Sequence, residues 1–246
     1  RAVAYSGFRV PTLNELYRPF RVGNDITEAN PALTPERLYG GDLGVDGRLG
    51  SDLTVGVTYF HARLTDAVAN ITVRTAPGLD PVLGVFVPVG GVLRQRRNLG
   101  RIAADGIEAE ATWRVSDALA LTARYLFTDP TVRRSPDQPD LVGKRLAQVA
   151  RHQGTLAVSW QPAARLTIDA QLRATSRQFD DDQNLRTLRG YVVSDLSLGF
   201  ALIERAELFL AAENLFDRTI ETGRSADGLI SVGQRRQFAG GVRLAF

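Results

Sequence analysis

The sequence predicts an all-β chain, an antiparallel up-and-down sheet of about ten strands that walls a transmembrane β-barrel. Three observations predict it: apolar and polar residues alternate, long and short connections alternate, and aromatic residues fall near strand ends. The first is plainest in the last ten residues, QFAGGVRLAF (237–246). Phe238, Gly240, Val242, Leu244 and Phe246 fall on one side of an extended strand. Gln237, Ala239, Gly241, Arg243 and Ala245 fall on the other, because strand side chains alternate with period two. One face is apolar and the other is small and polar.

Taken in order, residues 1–8 give a weakly alternating first strand. Pro11, Pro19, Pro31 and Pro35 then punctuate a long loop over 9–35, with room for a helical turn at Leu13–Tyr17. Alternation begins over 36–46, turns over 47–52 and resumes over 53–59, with Phe60 breaking it at the strand end. Residues 64–97 read as a second long connection, rich in Pro and Gly. Its piece Ala67–Val73 is strand-like and extends the wall outward. Ile107, Ala109, Ala111 and Trp113 then oppose Glu108, Glu110 and Thr112. After a tight turn, Leu119, Leu121, Ala123, Tyr125 and Phe127 oppose Ala120, Thr122 and Arg124. Residues 129–148 form the third long loop. Strands over 154–160 and 166–174 follow, the second with the cleanest alternation: Leu166, Ile168, Ala170, Leu172 and Ala174 against Thr167, Asp169, Gln171 and Arg173. A loop over 176–189, strands over 195–200 and 208–213, a loop over 217–233 and the closing strand complete the chain.

All short turns therefore lie on one side of the sheet and all long loops on the other, as in outer-membrane barrels. Trp113, Trp160, Phe200 and Phe246 sit by the short turns, and Tyr59, Phe127, Tyr191 and Phe238 toward the loops, matching two interfacial girdles. A soluble β-sandwich also alternates, but its turns need not follow this order. The apolar face includes Gly and Ala, which lipid tolerates better than a packed core does. Hydrocarbon permits no open sheet edge. Either the ten strands close alone into a narrow barrel, or they belong to a larger wall.

Composition narrows the function. Hydrophobic residues are 44% and charged residues 23% of 246, ordinary for a folded chain. No run approaches the ~18 apolar residues of a spanning helix. There is no cysteine, which excludes disulfides and thiolate metal sites. The chain has no methionine and starts at Arg1, so the expectation is the C-terminal part of a longer product. A net charge of +3 with both signs interspersed gives nucleic-acid binding little support.

Several stretches resemble a known family. GFRVPTLNELY (7–17), NPALTPE (30–36), NLGRIAADGIEAEATW (98–113), GKRLAQVARHQGTLAVSW (143–160) and ENLFDRTI (213–220) resemble, in order and spacing, the late-barrel segments of TonB-dependent outer-membrane receptors. The resemblance covers essentially the whole chain. It implies a 22-stranded barrel with a plugged lumen, of which residues 1–246 would be about the last ten strands, without the plug. It implies a Gram-negative outer-membrane receptor for a scarce chelate such as a ferric siderophore or cobalamin. The implied partners are outer-membrane lipid, the plug and earlier strands, the TonB complex acting through an N-terminal region, and the chelate itself. It also likens Phe238, Val242, Leu244 and Phe246 to the family's outer-membrane insertion signal. One detail departs from the family: Ala150 precedes Arg151 and His152, where a proline often stands. If this chain alone formed a small barrel, the alternative function would be a passive porin-like channel.

Candidate sites are few. Arg94, Arg96 and Arg97 cluster beside the second long loop, where they would attract an anionic chelate; ordinary loop charge is the plainer reading. Asp180, Asp181 and Asp182 invite a calcium reading, against which a solvated loop is the simpler expectation. No metal site and no cofactor is expected. The two histidines, His61 and His152, fit structural or interfacial roles, and no G-x-S-x-G nucleophile elbow occurs. No enzyme activity is expected. Glu108 and Glu110 read as wall charges facing plug or water.

Overall fold

The computed structural model describes residues 1–244. Ten wall strands run in chain order: β1 (Ala2–Arg9), β2 (Glu36–Leu49), β3 (Leu53–Arg74), β4 (Val92–Ser116), β5 (Leu119–Thr128), β6 (His152–Ala163), β7 (Leu166–Thr175), β8 (Tyr191–Ile203), β9 (Ala206–Glu213) and β10 (Gln237–Leu244). Each pairs antiparallel with its sequence neighbours. Residues 50–52, 117–118, 164–165 and 204–205 make the turns at one end, and all the long connections lie at the other. Among the described residues β1 and β10 do not pair with each other. The sheet is an open arc with two free edges, a partial barrel rather than a closed one.

Register confirms the two faces. Leu156 lies beside Leu172 and Ala123, Trp160 beside Ile168 and Leu119, and Leu210 beside Leu198 and Gly240. These form an apolar face that no other part of the chain covers among the described residues: Val45 is 77% exposed and Phe238 70%. An apolar surface this extensive needs an apolar environment. The reverse face is laced by cross-strand ion pairs. Glu110 meets Arg124 at 3.0 Å, Asp195 meets Arg173 at 2.9 Å, and Glu207 meets Arg243 at 3.2 Å. Asp42 accepts from the Tyr5 hydroxyl at 3.3 Å.

The principal departure from the sequence reading concerns residues 60–105. Phe60 does not end its strand; β3 and β4 stay paired from Leu53↔Trp113 up to Arg74↔Leu93. The 64–97 connection shrinks to 75–91. At 22 and 25 residues, these strands are twice the ~9–11 a tilted barrel strand needs to cross a bilayer, so the hairpin projects well beyond it. Phe60 faces the polar side and is accommodated by Gly106, where a Cβ would come within 2.1 Å of the ring. The hydrophobic pattern lapses there because the face changes surroundings, while the backbone ladder continues.

The two buried apolar clusters form where loops pack on this arm. One cluster joins Ala67, Ile71, Leu99 and Ile102 of the arm to Val132 and Leu141 of the 129–151 loop. A second joins Leu93 to Ile26 and Val87. The loops dock by adding strands. Thr131–Arg134 pairs antiparallel with β4, and Asp25–Glu28 pairs parallel with it over Val92–Gln95. The helical turn expected at Leu13–Tyr17 is present as α1. Thr12 caps it: its Oγ1 accepts from Glu15 N–H, while Glu15 Oε2 accepts from Thr12 N–H at 2.7 Å.

Candidate functional site

The long-loop end holds a cavity of about 450 Å³, roofed by four separate connections and floored by the arm. Ile71, Leu99, Val132 and Leu141 give it an apolar side. Arg94, Arg145, Arg224 and Asp25 give it a charged one. Concave, mostly apolar sites with a few convergent polar groups are what small ligands occupy.

The charged side is only partly satisfied within the chain. Arg94 donates to Asp25 Oδ2 at 3.2 Å, both side chains being largely buried. The other oxygen of Asp25, two nitrogens of Arg145 (Nε and Nη2) and Nε of Arg224 are buried without a hydrogen-bond partner. Arg145 stacks over the Phe179 ring at 5.3 Å and lies 3.6 Å from Asp129. Burial, and after it the Arg151 charge, lowers its pKa. Buried donors left unmade cost about 1–3 kcal/mol each, so an acceptor entering here would be favoured.

The three arginines singled out in the sequence do not converge. Arg94 lines the cavity. Arg96 is buried and points elsewhere: it donates to the carbonyls of Asn14 and Arg18 and lies over the Phe20 ring, holding α1 against the arm. Arg97 donates to Gln95 Oε1 at 2.9 Å. Arg145, Arg224 and Asp25 were not legible as site residues. Positions 25, 145 and 224 belong to three different loops and 94 to the arm, and no spacing along the chain announces their meeting.

The aspartate triplet is neither a solvated run nor a metal cage. Asp180 accepts from Gln148 Nε2 and from Arg224 N–H. Asp181 is buried and accepts from Leu185 and Arg186 N–H. Asp182 takes the N–H and hydroxyl of Thr72, at 2.9 and 2.6 Å. The three carboxylates diverge and latch their loop to the arm and to its neighbours. Among the described residues no group of three or more His, Asp or Glu is placed to hold a metal ion.

Both histidines lie at the outer rim of the apolar face. His152 Nδ1 and the Tyr125 hydroxyl share a 2.7 Å hydrogen bond, with the Phe127 ring 5.2 Å away. His61 Nδ1 and the Tyr59 hydroxyl each bond Asp105 at 2.8 Å. Arg151, after the unusual Ala150, forks onto Asp129 at 2.8 and 2.6 Å. Glu108 and Glu110 line the concave groove with Arg124 and Arg173. Phe238, Val242 and Leu244 share the exposed face of β10, while Phe246 lies outside the described residues.

A lipid-facing arc with short turns at one end and a loop-capped, partly charged cavity at the other is part of the wall of an outer-membrane barrel. Residues 1–215 match the family model "TonB dependent receptor-like, beta-barrel", and the chain belongs to that family. An iron-regulated outer membrane virulence protein of Vibrio cholerae is 24% identical over 232 residues, covering 91% of this chain and 34% of the relative. A vitamin B12 transporter of Vibrio vulnificus is 24% identical over 241 residues, covering 98% and 34%. The crystal structure of the ferric yersiniabactin uptake receptor of Yersinia pestis superposes with a TM-score of 0.70 at 19% identity, covering all of this chain and 34% of that one. The chain thus spans about a third of the length of the curated relatives it matches. It is an outer-membrane protein of the Gram-negative type, from a family of transporters rather than enzymes.

Proposed function

We propose that residues 1–246 form the C-terminal ten strands of a TonB-dependent receptor that takes up a scarce nutrient chelate, a ferric siderophore or cobalamin. The remaining strands and a plug complete the barrel, and the TonB complex drives import through the plug side of the full-length protein. The observation that carries this reading is the cavity at the long-loop end, lined by Arg94, Arg145 and Arg224, where donors of Arg145 and Arg224 are left unpaired. An anionic chelate supplies the acceptors those donors lack. Of the sequence candidates, Arg94 fits direct contact. Arg96 and Arg97 act through the shape of the arm. The passive-channel alternative fits poorly with an arc whose edge strands do not meet. Phe238, Val242, Leu244 and Phe246 serve as the insertion signal, read from the exposed edge strand.

Uptake of radiolabelled iron chelates and of cobalamin by cells carrying the full-length receptor, with and without a functional TonB complex, tests the reading. TonB-dependent uptake of one class is expected, reduced about tenfold by Arg145→Ala, the cost of losing one charge-assisted contact. Uptake of neither class, or uptake indifferent to TonB, would overturn it.

A further inference from the structure

We infer, resting on the uptake reading above, that Asp25 is a specificity-determining residue of the loop-end cavity. It selects a chelate that carries a protonated amine beside the oxygen acceptors that meet Arg145 and Arg224. Asp25 opens a short strand segment, Asp25–Glu28, that is paired on both sides. Val22 is its register partner on one side and Val92 of β4 on the other. Period two sends Ile26 into the buried cluster with Val87 and Leu93, and turns Asp25 and Thr27 to the cavity. A backbone ladder therefore places this carboxylate, although it belongs to a long connection.

One oxygen of the carboxylate is answered and the other is not. Oδ2 accepts from Arg94 at 3.2 Å, while Oδ1 is buried with no hydrogen-bond partner among the described residues. Leaving a buried carboxylate oxygen unbonded is costly, and a cationic donor offsets that cost best, because charge-assisted bonds are about twice as strong as neutral ones. The charge around the cavity points the same way. Three arginines and four aspartates line it. Asp25 already answers Arg94, and Asp129 stands 3.6 Å from Arg145. A chelate with several net negative charges would find little cation left to neutralise it. The unpaired donors of Arg145 and Arg224 need oxygen acceptors, and Oδ1 of Asp25 needs an N–H. A chelate whose negative oxygens are balanced by an ammonium arm supplies both. The methylene stem of such an arm suits the apolar side made by Ile71, Leu99, Val132 and Leu141.

The test is equilibrium dialysis of the full-length receptor in detergent against four probes. These are a linear ferric trihydroxamate ending in a primary amine, the same chelate with its ammonium replaced by an isosteric methyl group, a ferric tricatecholate, and cobalamin. The native receptor should bind the amine chelate at least about tenfold more tightly than its methyl twin, the effect of one charge-assisted bond. Asp25→Asn should bind the amine chelate about tenfold more weakly and the methyl twin as before. Equal affinity of the native receptor for the twins, or a preference that survives in folded Asp25→Asn, would overturn the inference. Binding of the tricatecholate or cobalamin without the amine chelate would also overturn it, and would leave the uptake reading standing. Binding of none of the four overturns both. Should Asp25→Asn fail to fold, the comparison of the twins on the native receptor decides alone.

Discussion

At the scale of residues, the long-loop end is held by carboxylates that each satisfy several donors. Asp182 spans to Thr72 with two hydrogen bonds. Asp182→Ala should free the 176–190 loop, at a local cost of about 2–4 kcal/mol for two charge-assisted bonds. Faster proteolytic nicking of that loop, with the wall intact, is the expected result. Glu15 makes a pH-dependent prediction. Its hydrogen bond with Arg9, and then those from Thr12, lower its carboxyl to about 2. A depressed folded-state pKa means the contribution is present above the ordinary carboxylate value near 4.5. It is lost as the pH falls from there toward 2. Hydrogen exchange over α1 should accelerate across that window, and Glu15→Gln should flatten the dependence. Thr12→Ala should loosen the same turn by about 1 kcal/mol at neutral pH. Of these contacts only the Thr12–Glu15 capping box has a signature along the chain, a Thr three residues before a Glu; the others join groups by side-chain reach rather than by periodicity. The three aspartates invited a shared ligand by adjacency alone, whereas the fold turns them three ways.

At the scale of elements, the β3–β4 arm sets the geometry of everything above the bilayer. Its continuation past Phe60 depends on a side chain that lies over Gly106 from the neighbouring strand, where a Cβ would meet both the Phe60 ring and the Phe127 carbonyl. Gly106→Val should therefore destabilise the arm by about 1–3 kcal/mol, the usual cost of overpacking. Phe60→Ala in the same chain should restore only part of it, since the backbone carbonyl remains in the way. Denaturant unfolding of the reconstituted receptor checks both. The strands of the wall itself were legible to within a few residues, because lipid on one side and water on the other impose period two. The arm was not, because above the membrane both of its faces meet protein or solvent. There Ala67, Ile71 and Leu99 are buried against loops that arrive from distant parts of the chain.

At the scale of the whole molecule, the arc is an amphipathic curtain. Spin labels at Leu166, Ile168 and Leu172 should be accessible to oxygen dissolved in the bilayer. Labels at Asp169 and Arg173 should respond to a water-soluble relaxant instead. Reversal of that pattern in the full-length receptor would refute the assignment of faces. Removal of Phe246 should lower the amount of assembled barrel in the outer membrane while leaving synthesis unchanged, as heat-modifiable migration would report. The sequence by itself determined the strand number, the two faces and the sidedness of the loops, because a membrane wall repeats one local rule ten times. Only the tertiary structure decided which loop residues meet. The cavity of Arg94, Arg145 and Arg224 depends on how four connections fold down over a projecting hairpin. Contacts of that kind are set by packing in three dimensions and leave no period along the chain.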